Sequence, residues 1–270
     1  HVIAAIKGIA DLDEQTAKQG LATEDRYLKS FPFHPELTEV FYSKWTQLDG
    51  FQRTRGVLRT FALALREAEK WDTSPLVGPA AFLTAPGKSG LSDAVGELVT
   101  VADTGGGDGG RRQAWTGILV GELTQAQNIQ LESVGLKFRE IEEAVIATFL
   151  HSLPIGQTAK TRELMLLLGP TRPFRIDLEK GLTRWAQTSH WLDDRLAPGG
   201  NDLPAQWRLG NRPNLNQMHS KAAGEISDDV ARARLIDEIG KTKALTSGAS
   251  AARVRVHTLP AKPKEIDDDG

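Results

Sequence analysis

Three arginines stand close together in Phe51-Gln52-Arg53-Thr54-Arg55-Gly56-Val57-Leu58-Arg59, and Arg66 follows one helical repeat later. A guanidinium keeps its charge at any physiological pH and presents a planar fork of donors that fits phosphate oxygens. Place the stretch on a helix with Leu58 facing the core. Arg55, Arg59 and Arg66 then share one flank, because spacings of four and seven return to the same side. Like charges so stacked repel one another, and the row calls for an anion. The chemistry on offer is recognition of phosphate rather than the making or breaking of a bond.

Other residues that could do chemistry carry less. Gly87-Lys88-Ser89 ends like a phosphate-binding loop, but the position of the required first glycine is Phe82, and no apolar strand leads into a helix there. The six histidines, among them His151, His190, His219 and His257, show no H-x-x-x-H or H-E-x-x-H spacing, and with no cysteine beside them no metal set is assigned. No G-x-S-x-G marks a serine nucleophile. His34, between Phe33 and Pro35, reads as part of a structural turn that inserts Phe31 and Phe33 into the core. The acidic run Asp267 to Asp269 reads as solvated. A second basic set, Arg172, Arg175, Lys180 and Arg184, with Gln187, lies on or just before one helix and could face a nucleic-acid groove. Asp177, Glu179, Asp193 and Asp194 in the same unit weigh against phosphate contacts.

The elements that must position these residues are mainly helices. Pro35 is suited to the first position of a helix running to Trp45. Gln52 to Lys70 reads as a helix with a buried stripe of Leu58, Phe61, Leu65 and Ala68. Thr73 to Pro86 reads as a loop or short strand, and Leu91 to Ala102 as a helix. The run Gly105-Gly106-Gly107-Asp108-Gly109-Gly110 breaks the chain. Beyond it come Val134 to Leu150, with the stripe Phe138, Ile141, Val145 and Phe149, then helices at Thr161 to Leu168 and Ile176 to His190. Two short strands, Trp191-Leu192 and Gln206 to Leu209, flank a polar segment. Three helices followed by a hairpin is the order of a winged helix. Asn214 to Leu245 is helical with a break near Gly224, and Val254 to Pro260 alternates like a strand.

Composition bounds the rest. At 270 residues, with 40% hydrophobic and 25% charged, the chain is long enough for an ordinary buried core. A formal net charge of −2 gives no global field toward nucleic acid or anionic membrane. No apolar run is long enough to span a bilayer. The absence of cysteine fits a reducing, cytoplasmic setting. The chain opens on His1 without a signal pattern and ends on Asp269-Gly270, so it reads as a portion of a longer protein.

Gly56-Val57-Leu58-Arg59 is similar to the G-x-x-R pattern of the sensor-two helix in AAA+ ATPases. The longer stretches FPFHPELTEVFYSKW, GFQRTRGVLRTFALAL, LHSLPIGQTAKTRELMLLLGP and WRLGNRPNLNQMH, and then VHTLP, resemble domain-of-unknown-function family 499, from about Tyr27 to the end. That resemblance implies a lid and a winged-helix region of a large bacterial AAA+-like ATPase, linked with DNA methyltransferases and helicases in phage-defence loci. It implies that Arg59, with Arg55 and Arg53 as rivals, reaches the γ-phosphate, and that Gly56 lets lid and nucleotide come close. ATP and magnesium would belong to the intact parent, whose nucleotide-binding core lies upstream. Without a phosphate loop this portion alone is not expected to hydrolyse ATP.

The expected architecture is therefore mainly α: a helical lid over 1–103, a glycine-rich linker over 104–112, a winged-helix-like domain with a short β-hairpin over 113–213, and a helical tail over 214–270. The expected function is nucleotide sensing within a larger ATPase, with a missing nucleotide-binding core, DNA, or a methyltransferase or helicase as partner and no membrane. The alternative is a winged-helix nucleic-acid-binding module without a nucleotide role. A third reading, a protein-interaction scaffold, expects an exposed apolar patch instead.

Overall fold

The computed structural model describes residues 20–105, 115–152, 157–193, 203–210, 213–241 and 262. It is mainly helical, and it divides into two units, one through Gln217 and one from Met218. The strand expected over 254–260, most of the glycine run, and most of the polar segment between the two expected strands lie outside the described residues.

Helix α1 (Gly20–Ser30) leads through a turn into α2 (Pro35–Ser43). Pro35 sits at the first helical position as its fixed φ predicts, and His34 is the N-cap, its Nδ1 accepting the Glu36 backbone N–H at 3.2 Å. The expected turn differs in one respect: Phe33 packs on the core, but Phe31 is exposed. Helix α2 ends at Ser43, short of Trp45, which starts a 3-10 turn (Trp45–Gln47) followed by a second (Asp49–Phe51). Helix α3 (Arg53–Ala68) then packs against α4 (Asp93–Gly105), with a 3-10 turn (Pro79–Phe82) between them in sequence.

Helix α5 (Trp115–Glu132) has no counterpart in the expected elements, and the helix expected from Val134 begins only at Glu140 as α6 (Glu140–Ser152). Every residue of α6 is buried, so it is the central rod of this unit. Its acidic start is accommodated locally: Glu140 accepts the backbone N–H groups of Lys137 and Phe138 in the turn before the helix at 3.2 and 2.9 Å, and the Ile141 N–H, a donor that a helix start leaves orphaned, is taken by the Gln130 side chain at 3.1 Å. Phe138, expected on the stripe, precedes the helix and is exposed, while Ile141, Val145 and Phe149 are fully buried.

Strand β1 (Ala159–Lys160), helix α7 (Thr161–Leu168), helix α8 (Arg175–Thr188) and strand β2 (Gln206–Trp207) complete the first unit. β2 pairs antiparallel with β1, Ala159 opposite Trp207. The expected hairpin between Trp191-Leu192 and Gln206 to Leu209 is reduced to one antiparallel bridge, Leu192 to Leu209. The 206–209 segment is thus tied both to the strand before α7 and to the residues after α8. Trp207 stacks on Trp185 of α8, with ring centroids 5.4 Å apart.

One apolar core runs from Leu37 to Leu209. It crosses the division expected at 104–112: Trp45, from the part read as a lid, meets Phe149 of α6 edge-on and donates its indole N–H to the Leu150 carbonyl at 2.9 Å. The second unit contains α10 (Asp228–Lys241) and most of α9 (Leu215–Glu225), whose boundary at Ile226-Ser227 lies near the expected break. From Met218 to Glu238 every residue is exposed.

Candidate functional site

The arginine row is built on α3, but with a different register. The buried stripe is Val57, Thr60, Phe61, Ala64 and Ala68. Leu58 is 67% exposed and Leu65 only half-buried, so the face expected to pack is turned by about one residue. Phe61 and Ala68 are common to both stripes; the observed one adds Val57, Thr60 and Ala64, and Ala64, fully buried, leaves α3 room to come close to its neighbours. Arg55, Arg59 and Arg66 still share one face, since their mutual spacing does not depend on the register.

Gly56 has a structural cause. A Cβ there would stand 1.8 Å from the Phe51 carbonyl oxygen and 2.9 Å from the carbonyl carbon. The 3-10 turn ending at Phe51 folds back over the first turn of α3, and only glycine leaves it room. Gln52 and Arg53 make the reversal, both with positive φ, 59° and 49°, an uncommon conformation for residues with a side chain. Gln52 and Arg53 also line an open hollow with Thr46, Gln47 and Leu48.

Two arginines of the row have carboxylate partners on α4. Arg59 donates to Glu97 at 2.6 Å and Arg66 to Asp93 at 3.0 Å, with both arginines largely exposed. Arg53 and Arg55 are exposed and have no partner among the described residues. They stand at the start of α3, where the helix dipole adds a partial positive charge.

The second basic set lies along the outer face of α8. Leu178, Gly181, Leu182 and Trp185 are buried, while Ile176, Lys180 and Arg184 face solvent at intervals of four. Arg175 pairs with Glu179 at 2.8 Å, and Arg184 pairs with Glu132. Lys180 is without a partner among the described residues. Arg172 precedes the helix in a left-handed conformation, φ 54°.

Several buried polar groups carry no signal in the sequence. Arg139, with φ 65°, grips both oxygens of Glu142 at 2.6 and 2.8 Å, donates to the Thr84 carbonyl at 2.6 Å and lies over the Trp71 ring. Beside it Glu143 is buried with one carboxylate oxygen unpartnered; burial, then Glu140 and Asp72, push its carboxyl well above the ordinary range. Lys44 donates to the carbonyls of His151 and Thr158 at 3.0 and 3.1 Å and faces His151 Nδ1 at 3.3 Å. Burial, with the Lys44 charge, holds His151 down at about 3. His34 is likewise held at about 3 by burial. These groups tie helices together. The partners of Lys44, at His151 and Thr158, and of His34, at Leu166, lie more than a hundred residues away, too far for spacing to reveal them.

Gly87-Lys88-Ser89 sits in a turn with positive φ at Gly87 and Gly90, and α4 starts only at Asp93. No strand precedes it among the described residues, so it lacks the strand–loop–helix setting of a phosphate loop. Among the described residues no group of three or more acidic, histidine or cysteine side chains could hold a metal, and no helix is long and apolar enough to cross a membrane. Comparison with protein-family profiles, with curated proteins and with solved structures finds no match for this chain.

Proposed function

We propose that this chain is the nucleotide-sensing part of a larger AAA+-like ATPase, as its resemblance to family 499 implies, and that the outer face of α3 meets the γ-phosphate of ATP held by an upstream core. The observation that carries the reading is the surplus of positive charge on that face: Arg55, Arg59 and Arg66 against two carboxylates, Asp93 and Glu97. The pair that engages Arg59 is exposed, and exposed pairs are worth only about 0.2–1 kcal/mol. Arg59 is therefore free to exchange its carboxylate for a phosphate, which offers more charge to the same fork of donors. ATP and magnesium would be held by the core, and Arg59 would favour the ATP-bound over the ADP-bound state.

The order helix α6, strand β1, helices α7 and α8, the Leu192 bridge and strand β2 supports a winged-helix reading of the second half, with 206–209 tied on both sides. In that reading α8 is the helix presented to a partner, DNA or protein, and the shared core couples it to the arginine face. Two of its basic residues are already matched by Glu179 and Glu132, which leaves the nucleic-acid alternative resting mainly on Lys180.

The test is ATP turnover by a chain extended upstream through a nucleotide-binding core. Arg59→Ala is expected to bind ATP and turn it over at least about tenfold more slowly, the loss that follows when a charged contact to the transferred phosphate is removed. Equal turnover of the two proteins would make Arg59 structural and end the sensor assignment.

A further inference from the structure

We infer that Glu97 is an internal stand-in for phosphate: it occupies Arg59 until a polyphosphate takes its place, so that phosphate arrival at α3 opens one of the two ties between α3 and α4. The inference rests on the phosphate reading of α3 given above.

The two helices are joined as an antiparallel ladder. Arg66 meets Asp93 near the start of α4, and Arg59 meets Glu97 one turn further on. One more turn along, the ladder stops. Arg55 continues the basic side, but α4 carries Thr100 and Val101 where a third carboxylate would complete it. Arg59 is thus the last paired rung, beside Arg55, which is unpaired among the described residues. A polyphosphate drawn to Arg55 comes within reach of Arg59, four residues on along the same face, without any movement of α3.

The competition is balanced in the right direction. A carboxylate and a phosphate present oxygen acceptors to the same donors, and a guanidinium cannot serve both fully. Arg59 is 69% and Glu97 35% exposed, so water screens their pair and weakens it. A triphosphate is screened as well, but it brings more charge and can bridge Arg55 and Arg59 together. Once Arg59 is taken, Glu97 is left without a cation, and α4 is held to α3 by the Arg66–Asp93 rung and by packing.

The experiment titrates inorganic tripolyphosphate, free of magnesium and at low salt, into the 270-residue chain by calorimetry, with the carbon-13 resonance of the Glu97 carboxylate as a second readout. Glu97→Gln is expected to tighten binding by about two- to fivefold, the factor set by losing an exposed ion pair as competitor. Glu39→Gln, the same charge change on α2, is expected to leave the affinity within twofold of the wild type. In the wild-type chain the Glu97 resonance is expected to move toward its unpaired position as tripolyphosphate saturates. If Glu97→Gln binds with wild-type affinity while Arg59→Ala and Arg55→Ala bind more weakly, the stand-in role falls and the phosphate reading remains. If Arg59→Ala and Arg55→Ala match the wild type, or if the chain does not bind tripolyphosphate, both fall.

Discussion

His34 shows how much one buried ring can hold. Accepting the Glu36 N–H on Nδ1 puts its proton on Nε2, which lies 3.0 Å from the Leu166 carbonyl and 2.9 Å from the Tyr27 hydroxyl. One imidazole thus caps α2 and ties α1 and α2 to α7. A second proton would have to enter on Nδ1 and would abolish the cap. Both His34 and His151 have folded values near 3, below the ordinary 6.5. Between those values the unfolded chain binds more protons, so stability is complete above about pH 6.5 and is lost as pH falls toward 3. Urea unfolding from pH 7 to 4 is expected to lose up to about 1.4 kcal/mol per pH unit for each of the two rings. His34→Gln should flatten that slope, and a slope unchanged from wild type would remove His34 from the account. Gly56 makes a second residue-scale prediction. Its clash partner is a backbone carbonyl and cannot swing aside. Gly56→Ala is expected to destabilise the chain by about 1–3 kcal/mol, the usual range for overpacking, seen as a lowered urea midpoint. A neutral outcome would mean that the 49–51 turn shifts freely.

At the scale of elements, α3 offered two stripes one residue apart. Leu58 and Leu65 advertised one by size, Val57, Thr60 and Ala64 belong to the other, and Phe61 and Ala68 are common to both. Size alone favours the leucines. The fold chose close approach, burying the alanines and leaving Leu58 to water. Leu58→Lys is therefore expected to change stability by less than about 0.5 kcal/mol, the normal range for a surface substitution. Val57→Lys would bury an unpaired charge and should cost at least about 3 kcal/mol. Urea midpoints of the two variants decide the register, and a severe loss in Leu58→Lys would restore the one expected from sequence. Helix α5 escaped notice for a related reason. Gly117 and Gly121 look like breaks, although a Cβ at either would meet nothing within 4 Å, and its apolar residues are spread over more than one face. The strand Ala159–Lys160 is too short to alternate, and only its pairing with Trp207 makes it a strand. The arginine row, by contrast, was legible, because charges at spacings of four and seven share a face in any register.

At the scale of the molecule, the sequence placed its main division at the glycine run, where flexibility is most obvious. The division that contacts support lies between Gln217 and Met218, close to the expected start of the helical tail at 214. A glycine-rich connection says only that the backbone can bend, whereas a boundary depends on which side chains share a core. Trp45, Phe149, Trp185 and Trp207 are all buried in one cluster, so the segments before and after the run fold as one body. The residues beyond Gln217 behave differently. From Met218 to Glu238 the side chains are exposed, and α10 is held within itself by pairs such as Arg234–Glu238 and Lys241–Asp237. Helices of this length, 11 and 14 residues, are marginal in water when no tertiary surface supports them. Pairs of that kind add only about 0.3–0.5 kcal/mol each. Amide hydrogen exchange should therefore divide the chain in two. Amides of α6, buried along its whole length, are expected to exchange only through global unfolding. Those between Met218 and Glu238 are expected to exchange within about tenfold of an unstructured peptide, because local opening there costs no buried surface. Protection of this stretch comparable to that of α6 would mean that the helices are covered in solution, and the boundary at Gln217 would have to be withdrawn.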